Sequence, residues 1–166
     1  MKDPHMTISV GDTLPFAHFF VKAGSEVDRL STDDILANRK VVLFGVPGAF
    51  TPTCHADHLP GYLEHLDTIK SKGVDEVAVI SVNDPHVMEA WAKATGGKGK
   101  ILFLSDGNAD FTRAIGLDTD GAVVGMGTRS QRYSMIIENG VVTQFNLEEV
   151  RGQAVLSGAA AIMEQL

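Results

Sequence analysis

Two unbroken apolar runs constrain this chain more than any other feature: "KVVLFGV" at 40–46 and "EVAVISV" at 76–82. Both are rich in β-branched residues and lack polar alternation, the pattern of strands buried on both faces. Parallel neighbours of that kind need a crossover of a dozen or more residues. The segment between them supplies one. Leu59, Tyr62, Leu63, Leu66 and Ile69 recur at helical spacing, and "SKG" (71–73) ends the pattern. Pro60-Gly61 inside that helix predicts a kink or local distortion.

Downstream, "NDP" (83–85) opens a second helix, with Pro85 at its first position and Val87, Met88 and Trp91 on one side. "TGGKGK" (95–100) reads as a loop, "ILFL" (101–104) as a strand, and a short helix runs through Phe111 and Ile115. "YSMII" and "VVTQF" flank "ENG" (138–140), whose Asn-Gly pair is a strong hairpin signal. A last helix is expected from about Gln153 to the end. The order β-α-β-α, an insert, a β-hairpin and a final α predicts an α/β fold, a three-layer sandwich whose central mixed sheet is flanked by helices.

The length of 166 residues suits one domain, expected over 7–166, with "MKDPHM" (1–6) read as an expression remnant ahead of Met6. Net charge is −7, and the densest basic groups are "KSK" (70–72), "KGK" (98–100) and "RSQR" (129–132), which argues against a nucleic-acid face. No apolar stretch reaches the roughly 18–20 residues of a membrane span, and no secretory signal opens the chain. A single cysteine excludes an internal disulfide and points to a reducing, cytoplasmic setting.

That cysteine, Cys54, follows the first buried run directly. With Thr51 as N-cap and Pro52 as first helical residue, Cys54 lies in the first turn, where unpartnered N–H groups and the macrodipole favour a thiolate. An ordinary thiol is about 3% ionised at pH 7; reaching about 90% takes about 3.4 kcal/mol of differential stabilisation. A helix end supplies roughly 0.3–1 kcal/mol and at most about 2. A reactive sulfur here therefore requires a cation as well.

"VPGAFTPTC" followed by "HLPGY" closely resembles the peroxiredoxins, in particular their type-five, atypical subfamily in a single-cysteine form. The likeness continues through "KSKGVDEVAVISVNDPHVMEAW" (70–91) and "GTRSQRYSMIIENG" (127–140), covering most of the chain from about residue 9. The resemblance implies a thioredoxin-like fold and reduction of hydrogen peroxide and organic hydroperoxides. It implies Cys54 as the peroxidatic cysteine, Thr51 as the conserved hydroxyl, Pro47 as the proline shielding the sulfur and Arg132 as the active-site arginine. Arg129, three residues earlier, is a second candidate for that cation. The subfamily also implies a homodimer, no bound cofactor, and turnover by an external thiol: glutathione with glutaredoxin, or thioredoxin.

One departure is His55, where the family commonly has serine; it is expected to face solvent. "C-H-x-x-H" (54–58) invites a metal reading, but no compact further ligand set accompanies it, and His58 is expected to hydrogen-bond within its own helix. With no second cysteine, only an external thiol can resolve a Cys54 sulfenic acid. Two alternatives stand beside the peroxidase: a peroxide sensor that signals to a partner without multiple turnovers, and a non-catalytic thioredoxin-like interaction module. A cysteine hydrolase fits least, since no His and Asn or Asp pair can be placed from the motif.

Overall fold

The two apolar runs lie side by side at the centre of a seven-stranded mixed sheet in a computed structural model that describes residues 7–150 and 152–166. The proposed remnant at 1–6 lies outside the described residues. In chain order the elements begin with β1 (His18–Ala23), β2 (Glu26–Ser31), α1 (Thr32–Leu36) and β3 (Lys40–Val46). After a π-helical turn, α2 (Leu59–Glu64), α3 (Leu66–Ser71), β4 (Glu76–Ser81) and α4 (Pro85–Thr95) follow. Then come β5 (Leu102–Ser105), α5 (Asp110–Ala114), β6 (Asp118–Asp120), β7 (Thr128–Ser130), β8 (Tyr133–Glu138), β9 (Val141–Leu147) and α6 (Ala159–Gln165).

The sheet order is β2-β1-β5-β4-β3-β8-β9, with β6 and β7 forming a separate ribbon. Strands β3, β4 and β5 run parallel, while β8 pairs antiparallel with β3, setting Ser134 opposite Phe44. Alternate residues of the central strands feed two cores, as expected for strands covered on both faces. Val42, Phe44, Val77 and Val79 pack with Leu59, Tyr62, Ile69, Met88, Trp91 and Ile162 from the helices on one side. Val41, Leu43, Ala78 and Ile80 pack on the other face with Ile35, Phe111 and Ile115. The expected three layers are present.

Local chemistry explains the element ends. The Asp84 carboxylate accepts from the His86 and Val87 amides at the start of α4, and Gly96 closes that helix at φ 73°. Asn139 and Gly140 take φ values of 47° and 81°, the pair of positive angles that a two-residue type I′ turn between β8 and β9 requires.

Three expectations change. The final helix begins at Ala159 rather than near Gln153, because the Glu148 carboxylate holds the Leu156 and Ser157 amides in a turn. The kink or local distortion expected at Pro60-Gly61 takes the form of two breaks in the helix after β3. Residues Cys54–His58 form a π-turn in which the Leu59 N–H donates to the Cys54 carbonyl, and His65 (φ −102°, ψ 11°) separates α2 from α3. Pro60 has no N–H to give, and the wider turn just before it relieves its ring's conflict with the preceding carbonyls. The hairpin β1–β2 forms from a stretch whose sequence carries no clear strand pattern.

Candidate active site

Strand β3 ends at Val46, and the chain then turns through Pro47, Gly48, Ala49 and Phe50 before entering the helix. Asn83, just beyond β4, fixes this turn: its Oδ1 accepts from the Ala49 amide at 2.9 Å and from the Ser81 hydroxyl at 2.6 Å. At Gly48 a Cβ would lie 2.9 Å from Arg129 Nη1 and 3.0 Å from Thr51 Cγ2, so a side chain there would displace the Arg129 guanidinium. Phe50 sits in the left-handed region at φ 64°. A non-glycine residue held there costs of order 1–3 kcal/mol, and the surrounding bonds must outweigh that cost.

Thr51 occupies the helix N-cap with its backbone: its carbonyl accepts from the His55 N–H at 2.9 Å. Its side chain does something other than the expected capping. The hydroxyl donates to the Gly48 carbonyl at 2.6 Å, which spends its proton and leaves its oxygen lone pairs as acceptors. Helical backbone begins at Pro52, so Cys54 is the third helical residue and lies in the amide-rich first turn.

Cys54 is fully buried. Arg132, at the entrance to β8 and only 9% exposed, donates from Nη2 to Cys54 Sγ at 3.2 Å. Of the two arginines weighed from sequence, Arg132 alone meets the sulfur. Arg129 donates from Nε to the Met126 carbonyl at 2.8 Å and from Nη1 to the Pro47 carbonyl at 3.4 Å, so it braces the half-buried turn instead.

His58 is tied outside its own helix, contrary to expectation. Its Nδ1 faces Arg132 Nη1 at 3.0 Å and its Nε2 faces the Ser157 carbonyl at 3.0 Å. A guanidinium can only donate and a carbonyl only accept, so the ring is neutral with its proton on Nε2. Burial pushes the His58 pKa down to about 4; the Ser157 bond opposes that and the Arg132 charge adds to it. Both ring nitrogens are engaged, and no cluster of metal-ligating side chains occurs among the described residues.

His55 is half-buried rather than solvent-facing. Its Nδ1 accepts from Trp91 Nε1 at 3.0 Å, and its ring stacks on Phe50 at 5.6 Å. Sequence reasoning missed these histidine partners because they come from α4 and the C-terminal segment, far away in the chain. For His58 the available signal was its place four residues after Cys54, one helical turn on.

A cleft of about 390 Å³ opens beside this assembly, lined by Pro47, Met126, Arg129, Arg132, Glu148 and Val150 among others. The arrangement therefore joins a buried sulfur, a hydrogen-bonded cation with no ion-pair partner among the described residues, a hydroxyl with open acceptor positions and an adjacent polar-apolar cleft. Such a set stabilises negative charge on sulfur and on an oxygen bound next to it.

The Redoxin family model matches residues 9–162. Peroxiredoxin-2C of Oryza sativa subsp. japonica is 43% identical over 160 residues, covering 96% of this chain and 98% of that protein. The structure of reduced Prx3 in complex with hydrogen peroxide from Vibrio vulnificus is 46% identical, with TM-score 0.90 and 96% of each chain covered. Peroxiredoxin 5 from Alvinella pompejana is 33% identical, with TM-score 0.83, covering 96% of this chain and 99% of that one. With the thioredoxin-like layering and this coverage, the chain belongs to the peroxiredoxin family of thiol peroxidases.

Proposed function

We propose that this chain is a single-cysteine peroxidase that reduces hydrogen peroxide and alkyl hydroperoxides through Cys54 and is recycled by an external thiol. The observation that carries the reading is the Arg132 guanidinium 3.2 Å from the Cys54 sulfur in a buried site. At an effective dielectric of about 20, unit charges at the 3.2 Å separation attract by about 5 kcal/mol before burial of the sulfur is subtracted. That exceeds what a helix end supplies.

In the first step the Cys54 thiolate attacks one peroxide oxygen. An S–O bond forms as the O–O bond breaks, the sulfur is oxidised to sulfenic acid, and the second oxygen takes up a proton and leaves as water or alcohol. Arg132 stabilises the negative charge on the leaving oxygen, and Thr51 accepts from the peroxide O–H with the lone pairs that its bond to Gly48 leaves free. Pro47 shields the sulfur from water. One external thiol then condenses with the sulfenic acid, releasing water and forming a mixed disulfide; a second thiol displaces Cys54 and leaves as the disulfide product. The lone cysteine supports an external reductant and a reducing, cytoplasmic setting, and the subfamily resemblance supports glutathione with glutaredoxin, with thioredoxin the alternative. A homodimer is supported by the subfamily resemblance and by exposed apolar side chains, Val124 and Val150 lining the cleft and Phe50 on the turn after β3.

The test has two stages. Reduced protein mixed with one equivalent of peroxide is expected to consume it stoichiometrically within the mixing experiment, and Cys54→Ser to consume none. Catalytic turnover is then followed with glutathione and glutaredoxin, and with thioredoxin. Rapid consumption without repeated turnover under either reductant would replace the enzyme by a sensor.

A further inference from the structure

We infer that the cleft between α4 and the start of β5 is a binding site for a phosphorylated small molecule, independent of the peroxidase reading. The chain carries an excess of acid, −7 overall, and has eight lysines. Four of them, Lys22, Lys70, Lys98 and Lys100, line this one cleft of about 350 Å³. It shares no lining residue with the cleft beside Cys54. Glu76 and Leu102 place it at the start of β4 and β5, whereas the parallel strand β3 delivers Cys54 from its opposite end.

The two carboxylates in the lining are already engaged. Glu76 pairs with Arg39 at 3.3 Å, and one oxygen of Glu89 takes both Lys98 at 2.6 Å and Lys93 at 3.3 Å. Lys22, Lys70 and Lys100 form no ion pair among the described residues. Ammonium groups left without partners around one concavity repel one another, and its low-dielectric walls focus their field inward. A bound anion of two or more charges relieves that repulsion; a monovalent one relieves it only in part. The loop that brings two of the lysines in, "GGKGK" (96–100), is tightly specified. Gly99, between Lys98 and Lys100, takes φ 79°, and a Cβ at Gly97 would lie 2.8 Å from the Phe103 ring.

The remaining lining sets the kind of molecule. Met88, Ala92 and Phe103 give the cleft an apolar floor beneath the charged groups. Lysine meets phosphate oxygens as a compact point charge. The volume falls in the range of small-molecule sites, roughly 300–1,000 Å³. Positive charge around an apolar floor fits a phosphate ester with a ring to bury, the class to which nucleoside diphosphates belong. A nucleic-acid strand needs a basic face or stripe rather than one cleft, and the net charge of −7 opposes it.

Binding is read by backbone-amide NMR on the reduced full chain, titrated at constant ionic strength with ADP and, separately, with inorganic pyrophosphate, both free of magnesium. ADP is expected to give saturable shifts at residues 88–92 and 98–103. It is expected to bind about tenfold more tightly than pyrophosphate, because only ADP has a base to lay on the floor. Combining Lys22→Gln with Lys100→Gln is expected to weaken ADP by about tenfold, the scale of a lost charge-assisted contact. Melting temperature and peroxide consumption are expected to stay at wild-type values in that variant. Shifts that fail to saturate, or ADP binding undiminished in the double variant, would overturn the proposal. So would pyrophosphate binding as tightly as ADP, which would leave the apolar floor without a role.

Discussion

Acidification probes His58 directly, through stability. In the folded protein burial holds its pKa at about 4, against 6.5 for the free side chain. Above pH 6.5 both states are neutral there and the group is silent. Between 6.5 and about 4 the unfolded chain takes up a proton that the folded site refuses, so stability falls as pH falls. Below about 4 the folded site protonates too and the loss levels off. The full difference amounts to about 3 kcal/mol. With a urea dependence of about 2 kcal/mol per molar, the unfolding midpoint drops by about 1.5 M across the window. The assay is urea unfolding at several pH values between 7 and 4, on wild type and His58→Asn, which cannot take up the proton. Glu148 is a second titrating group nearby: burial raises its pKa, but the bonds from Ser157 and its neighbours outweigh that and hold it low. Because both proteins retain Glu148, their difference isolates the histidine. Parallel curves for the two between pH 6.5 and 4.5 would refute a neutral, buried His58.

Arg132→Met removes the guanidinium and is expected to slow peroxide consumption by about a hundredfold to a thousandfold, measured by quenched flow. Tyr133→Phe deletes a buried hydroxyl that has no hydrogen-bond partner; stability is expected to hold or rise by up to about 1 kcal/mol in urea unfolding. Gly45→Ala drives a Cβ into the edge of the Tyr133 ring, its antiparallel partner across β3 and β8. The contact is with the Cδ1–Cε1–Cζ edge of that buried ring, and the substitution is expected to cost about 3 kcal/mol, seen as a fall in melting temperature.

What the sequence disclosed follows the range over which its forces act. The runs at 40–46 and 76–82 declared a two-faced sheet because burial on both sides leaves no polar alternation, and Asn139-Gly140 and Asp84-Pro85 are local devices complete within a few residues. The β1–β2 hairpin escaped notice although Gly24-Ser25 supplies a two-residue turn; β2 is largely exposed, so its sequence lacks the apolar contrast of a strand. The final helix was placed too early because composition could not show that Glu148 binds the amides of residues 156 and 157. At the site, the nearness of Arg132 to Cys54 accords with the motif resemblance and with the estimate that a helix end alone is too weak. The histidines were misread for one reason: each meets its partner across the tertiary structure, Trp91 for His55 and Ser157 for His58, and no spacing rule reaches that far.

The bond between Trp91 and His55 has a practical consequence. Trp91 is the only tryptophan in the chain, fully buried, and its indole N–H touches the residue immediately after Cys54. A reshaping of that first turn that moves His55, by oxidation of the sulfur or by docking of a thiol, is expected to alter the indole's hydrogen bond and with it the emission. The protein carries its own optical reporter, wired to the sulfur by one neighbour and undiluted by a second fluorophore of its kind.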